Sequence, residues 1–124
     1  MSLLSWVAFV AAAAVGAPAR YVIDTAVSLR AKGAFPWGTF VVNITGSFIL
    51  GLVAGLGLYH GLSGTARVVV GTGFLGAYTT FSTFTFETVR LLEDGVRSEA
   101  LINIAASVLA GAAAAAAGLA LAAL

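Results

Sequence analysis

Four uncharged stretches divide the chain, at residues 2–19, 33–66, 68–86 and 100–124. The charged positions between them fall within 20–32, at Arg67, and within 87–99. A bilayer core about 30 Å thick takes about 20 apolar residues of helix, with a working range of about 17–25. Each stretch therefore predicts one span. Gly33, Pro36, His60, Gly61 and Gly64 trim the long second stretch at both ends. The spans are placed near 3–19, 38–59, 66–90 and 99–123, in one four-helix transmembrane domain covering residues 1–124.

The first segment has a second reading. It ends in Ala14-Val15-Gly16-Ala17-Pro18, a small-residue run that a signal peptidase site would also show. No Lys or Arg precedes the apolar stretch, as a signal's leading region requires, so the segment is read as a retained helix. Residues 20–35 read as a polar, partly amphipathic connector. In it Tyr21, Val22, Ala26 and Leu29 recur at helical spacing opposite Arg20, Asp24 and Arg30. Gly51 with Gly55, Gly57 with Gly61, and Gly111 in an Ala-rich fourth helix are spaced for close helix contacts. Each pair alone fits packing inside the chain; the chain's fifteen glycines together point to an oligomer.

Polar residues inside the apolar runs are the candidate chemistry, because an unpaired polar group is costly in hydrocarbon. Thr39, Asn43 and Ser47 stand at i, i+4 and i+8, on one face of the second helix. Asn43 either clamps two helices together or lines a path. In the third helix Gly71, Gly73 and Gly76 precede a run of threonines, a poor sequence for a continuous helix. Broken helices at membrane depth are tolerated where they are buried or line a cavity, and their freed carbonyls bind cations. A glycine-mediated close contact without an ion is the alternative. Phe81 and Phe84 share a face, and their electropositive ring edges suit an anion, although such pairs also pack against lipid or core. Asn103, Ser107 and Gly111 form a further stripe on the fourth helix. These stripes offer donors without a fully embedded charge, which favours passing a small anion over pumping a proton.

Composition closes off other classes. Only 9% of residues are charged and 60% are hydrophobic, with a mean hydropathy of +1.05, so a soluble domain and a disordered chain are both excluded. Net charge is +1 without a basic cluster, which removes nucleic acid as a partner. The absence of cysteine and a single histidine exclude thiol chemistry and histidine metal sites. No embedded acid, base or nucleophile pair suggests an enzyme. Five of the six basic residues fall in the connectors after the first and third helices, which would place those connectors in the cytoplasm.

Three strings carry a resemblance that spans essentially the whole chain: Gly16-Ala-Pro-Ala-Arg20-Tyr21, the run Pro36 to Phe48, and Gly73-Phe-Leu-Gly76-Ala-Tyr-Thr79-Thr80-Phe81-Ser82-Thr83-Phe84-Thr85-Phe86-Glu87. The sequence resembles the Fluc/CrcB fluoride channels. The resemblance implies an all-α membrane protein with a broken third helix, assembled as an antiparallel, dual-topology dimer with two pores. Fluoride would leave the cytoplasm passively, lowering its toxicity, across a bacterial or archaeal cell (plasma) membrane that the chain crosses several times.

By motif position Asn43 would donate to fluoride, and Phe81 and Phe84 would line the pore edge-on. Ser107 would lie on the ion path, with Thr39, Ser82 and Thr83 as polar-track residues and Arg20 near the aqueous vestibule. Gly76 and Thr79 would offer backbone carbonyls to a structural sodium ion at the dimer interface. The expected partners are fluoride, membrane lipid and a second copy of the chain; the basic-residue bias also fits a heterodimer with a paralogue. Asn103 stands where the family often has tyrosine. A proton-coupled multidrug exporter of similar size is the competing class, and it needs an acidic residue in the first span, where 3–19 has none. A membrane anchor without transport would have no reason for polar stripes on three helices.

Overall fold

The computed structural model describes residues 1–124. Helix α1 runs Leu3–Arg30 and α2 runs Trp37–Tyr59. A short α3, Gly64–Arg67, continues into a π-helical turn, Val68–Phe74, and then into α4, Leu75–Tyr78. After a break come α5, Ser82–Glu93, and α6, Arg97–Ala122. Helices α1, α2 and α6 are long and apolar enough to cross a membrane.

Two boundaries differ from the sequence reading. The expected connector after residue 19 is instead the last part of α1, whose helical spacing of apolar residues simply continues to Arg30. Pro18 sits inside the helix and removes only one N–H donor from the ladder. At the C-terminal end the Ala31 N–H reaches the Val27 carbonyl at 2.9 Å, and Arg30 Nη1 folds back onto the Ala26 carbonyl, also at 2.9 Å. The second difference lies in the span near 66–90: it is broken, as expected, but at another place than its glycines suggested. Its glycines do not break it; they fall in the π-helical turn and α4, where wider winding absorbs the strain. The break comes at the threonines, with Thr79 extended at φ −79° and ψ 161°. Beta-branched residues accept that geometry readily, and their hydroxyls offer the backbone substitute bonds.

Helix α1 runs in the same direction as the segment from the π turn to α4, and α2 in the same direction as α6. Helix α1 lies alongside the π turn and α4, with Gly16 against the Phe74 carbonyl and Gly73 against the Phe9 carbonyl. Helices α2 and α6 run together at close range. Gly51 faces the Ala115 carbonyl and Gly118 faces the Phe48 carbonyl, so a Cβ at either position would collide with backbone. Gly55 likewise packs on Ala122, and Gly57 holds the Arg67 side chain. Gly51, Gly55 and Gly57 therefore serve packing inside the chain, the reading that each pair by itself allowed. The α5 to α6 turn is a Schellman motif: the Val96 N–H reaches the Leu91 carbonyl at 2.9 Å, and that of Gly95 reaches Leu92 at 3.1 Å. Gly95 takes the left-handed φ of 76° that this motif needs.

Few side chains are enclosed. Only 18 of 124 residues are buried, so most apolar surface must face lipid or another protein. The core is the cluster of Val42, Leu75 and Tyr78, with Ala19, Ile49 and Phe74 packed against it. It lies directly behind the break, fixing the end of α4 against α1 and α2.

Candidate functional site

The break between α4 and α5 removes residues 79–81 from the helical hydrogen-bond ladder, and other elements supply the missing partners. Asn43, on α2, does most of this. Its Nδ2 donates to the Thr80 carbonyl at 2.8 Å, and its Oδ1 accepts from the Thr80 N–H, also at 2.8 Å. The amide thus pairs with both backbone polar groups of Thr80 as a neighbouring strand would. From α1, Arg20 Nη1 donates to the Thr79 carbonyl at 3.3 Å. The Thr79 hydroxyl turns back to the Leu75 carbonyl at 2.8 Å and closes α4.

Thr80 opens α5. Its Oγ1 accepts from the Thr83 N–H at 3.1 Å, as an N-cap hydroxyl does, and donates to Thr83 Oγ1 at 3.0 Å. Ser82 Oγ lies 3.3 Å from the same Oγ1. Ser82, Thr83 and Thr80 therefore form one hydroxyl cluster at the start of α5. The remaining first-turn N–H groups of α5 lack helical acceptors, and the positive end of its dipole lies at the break.

Two cavities meet at Thr80. The larger, about 730 Å³, brings together Asn43, Ser47, Phe81, Phe84 and Ser107, with Gly76 and Thr79 on its wall and Arg67 also lining it. The smaller, about 140 Å³, holds Arg20, Asp24, Thr39 and Thr83. The predicted residues thus divide between two adjoining spaces, and Ser82 reaches them only through its contact with Thr80. Phe81 and Phe84 stand with centroids 5.9 Å apart, tilted by 41°. Phe81 is 76% exposed, so its ring meets nothing of its own chain over most of its surface.

The stripe on α2 continues toward α5. Thr39, which is buried, donates to Glu87 Oε1 at 2.9 Å. Glu87 Oε2 is buried without a hydrogen-bond partner. Glu87 is thus a half-buried carboxylate held by Thr39 at the end of the uncharged run. On α6, Asn103 is fully buried, and its Nδ2 donates to Thr88 Oγ1 at 2.9 Å. Thr88 passes its own proton to the Phe84 carbonyl at 2.8 Å, and Ser107 Oγ donates to Asn103 Oδ1 at 3.3 Å. Asn103 therefore ties α6 to α5 through Thr88.

Sequence reasoning did not assign roles to Thr80 or Glu87. Thr80 could be found only through its pairing with Asn43, 37 residues away. Glu87 carries a local signal, one helical turn after Thr83 at the end of an uncharged run. His60, exposed at the end of α2, has its Nε2 at 2.7 Å from the Ala122 carbonyl and ties the ends of α2 and α6 together. No group of three or more His, Cys, Asp or Glu side chains is arranged to hold a metal ion.

The sequence profile described as "CrcB-like protein, Camphor Resistance (CrcB)" matches residues 7–119. A protein of Frankia casuarinae named "Fluoride-specific ion channel FluC 1" is 52% identical over 124 residues, covering 96% of each chain. A protein of the same name from Streptomyces avermitilis is 48% identical over 115 residues, 93% of each. "Fluoride-specific ion channel FluC 2" of Mycobacterium tuberculosis is 44% identical over 115 residues, covering 93% of this chain and 88% of that one.

Proposed function

Because this chain belongs to the CrcB-like family, we propose that it is a fluoride-specific channel, a multi-pass protein of the plasma membrane through which fluoride leaves the cytoplasm passively. The names of its relatives supply the ion. Within the chain, the observation that carries the reading is the break at residues 79–81, where Asn43 and Phe84 share one cavity with the start of α5.

Fluoride is small and strongly hydrated, so a path for it must replace water with fixed donors. Asn43 Nδ2 uses one N–H on Thr80 and keeps a second for an ion. The first-turn amides of α5 add donors at the positive end of a helix dipole, the ordinary setting for an anion. The ring edges of Phe81 and Phe84 add a weakly electropositive, size-limited wall. Ser107 completes the larger cavity, while Thr39, Ser82 and Thr83 continue the polar track through the smaller one. Arg20 supplies the positive potential that gathers anions at the break. None of these groups performs covalent chemistry.

The working unit in this reading is an antiparallel dimer with two pores, formed by two copies of this chain or by this chain and a paralogue. The support is the exposure of Phe81 and the open space around Gly76, both of which a second subunit would cover. Gly76 and Thr79 would present their carbonyls to a sodium ion on the dimer axis. Thr79's carbonyl already accepts from Arg20 at 3.3 Å, which leaves it one lone pair for a cation. Two oxygens per chain are too few for a hard ion, so the second subunit must supply the rest. When bound, the ion would join the two breaks and hold them rigid.

The test is passive efflux from liposomes carrying the purified protein, read with fluoride and chloride electrodes and no proton gradient. Rapid fluoride release with chloride retained is the expected result. Release of both ions overturns the reading; release of neither from folded protein overturns the dimer of two copies and leaves the assembly with a paralogue.

A further inference from the structure

A separate cavity of about 380 Å³ opens where the α1 to α2 connector meets the first turns of α6, away from the break. Its lining combines Lys32, the aromatic residues Phe35, Trp37 and Phe40, and Glu99 with Ile102 from α6. The three rings brace one another. Phe35 and Trp37 have centroids 4.6 Å apart, Phe35 and Phe40 5.5 Å, and Trp37 and Phe40 5.7 Å at an interplanar angle of 89°. A preset aromatic wall at the end of a spanning helix belongs at the headgroup level of a bilayer. The same cavity carries one cationic and one anionic side chain, and neither forms an ion pair or a hydrogen bond within the chain.

That pairing of charges selects the occupant. A phosphodiester suits a lysine, an ammonium suits a carboxylate and an aromatic wall, and an acyl chain suits the apolar floor at Phe40 and Ile102. One molecule of a membrane joins all three. We infer that this cavity is a binding site for phosphatidylethanolamine, with the phosphate at Lys32, the ammonium donating to Glu99 and the first acyl carbons along Phe40 and Ile102. Phosphatidylglycerol carries the same phosphodiester for Lys32 but no ammonium, so it leaves the Glu99 carboxylate without a cation. A choline lipid satisfies the charges but has no N–H to donate. Glu99 also lies in the first turn of α6, where a carboxylate favours the helix dipole; that role does not account for Lys32 or the rings beside it.

The test is native mass spectrometry of the full chain in detergent, with equal amounts of phosphatidylethanolamine, phosphatidylglycerol and phosphatidylcholine of matched acyl chains. The chain is expected to retain the ethanolamine lipid preferentially. Glu99→Gln is expected to weaken that retention about tenfold, the scale of one hydrogen bond to a charged group, while sparing phosphatidylglycerol. Lys32→Gln is expected to weaken both lipids alike. Both substitutions are isosteric or surface changes, and an unchanged elution volume confirms that the fold survives. Preference for phosphatidylglycerol, equal retention of the choline and ethanolamine lipids, or Glu99→Gln behaving as the unmodified chain would each overturn the assignment. So would the absence of any bound lipid, which would mean that another protein surface covers the cavity.

Discussion

Asn43 holds Thr80 by both ends of one amide, donating to its carbonyl and accepting from its N–H, each at 2.8 Å. The pairing fixes the residue between two helices, α4 and α5, where the helical ladder offers its backbone no partners. It also orients the amide, so that its remaining N–H has a defined direction. Helix break and candidate ion ligand are in this way one piece of structure.

Asn43→Asp keeps an acceptor for the Thr80 N–H but turns the donor that faced the Thr80 carbonyl into an oxygen. Fluoride efflux is expected to vanish, because a negative charge then stands on the path. Stability is expected to fall by about 1–3 kcal/mol as the Thr80 carbonyl loses its partner. Thermal unfolding and liposome flux measured on the same sample check both; unchanged flux removes Asn43 from the pore.

Phe81 meets little of its own chain, so Phe81→Ile should leave the fold and any dimer intact while impairing conduction. The combination to measure is elution volume with efflux rate. Wild-type efflux would reduce the ring to packing, and loss of the dimer would make it an interface residue.

The Ser107, Asn103 and Thr88 chain supports α5 from below. Asn103→Ala removes the donor to Thr88 Oγ1 and the acceptor for Ser107 and opens a small void. A loss of about 1–3 kcal/mol is expected, since the partners lose their bonds in a buried setting. Thermal unfolding measures it, and an unshifted midpoint would show that α5 and α6 stay together without Asn103.

Gly118 lies against the carbonyl of Phe48 and the amide nitrogen of Leu52. Gly118→Val is expected to drive α6 away from α2 and to destabilise more than any of the substitutions above, because backbone cannot yield as a side chain can. The contrasting control is Gly76→Ala, where nothing stands within 4 Å. Its expected effect on the isolated fold is small, so any large loss of assembly would report a partner at that face.

Sodium removal tests the carbonyl proposal directly. Exhaustive exchange into a large organic cation is expected to lower both efflux and thermal stability, with recovery on adding sodium back. Equal activity and stability without sodium would count against an ion on Gly76 and Thr79.

The helical class, the long α2 and α6, and the polar stripes were legible in the sequence because each depends on local repetition. Thr39, Asn43 and Ser47 share a face by spacing alone, and that face does turn to the break. The position of the break was less legible. Glycine runs suggest weakness, yet the structure keeps them helical with wider winding and opens at Thr79, where substitute bonds come from Arg20 and Asn43. The glycines of α2 show the same limit, since spacing marks a close contact without naming the partner helix.

The sequence by itself determined that this chain lies in a membrane, that its helices end near its charged clusters, and which few polar groups must be satisfied there. Those outcomes follow from composition and from periods of 3.6 residues, which act over one or two turns. Only the tertiary structure decided which partner satisfies each group. Thr80 takes both ends of Asn43, Thr39 meets Glu87, and Asn103 reaches Thr88 across the turn between α5 and α6. In a low-dielectric interior an unmatched polar group is expensive, so the fold settles where these distant pairs close together, and no local pattern records that condition.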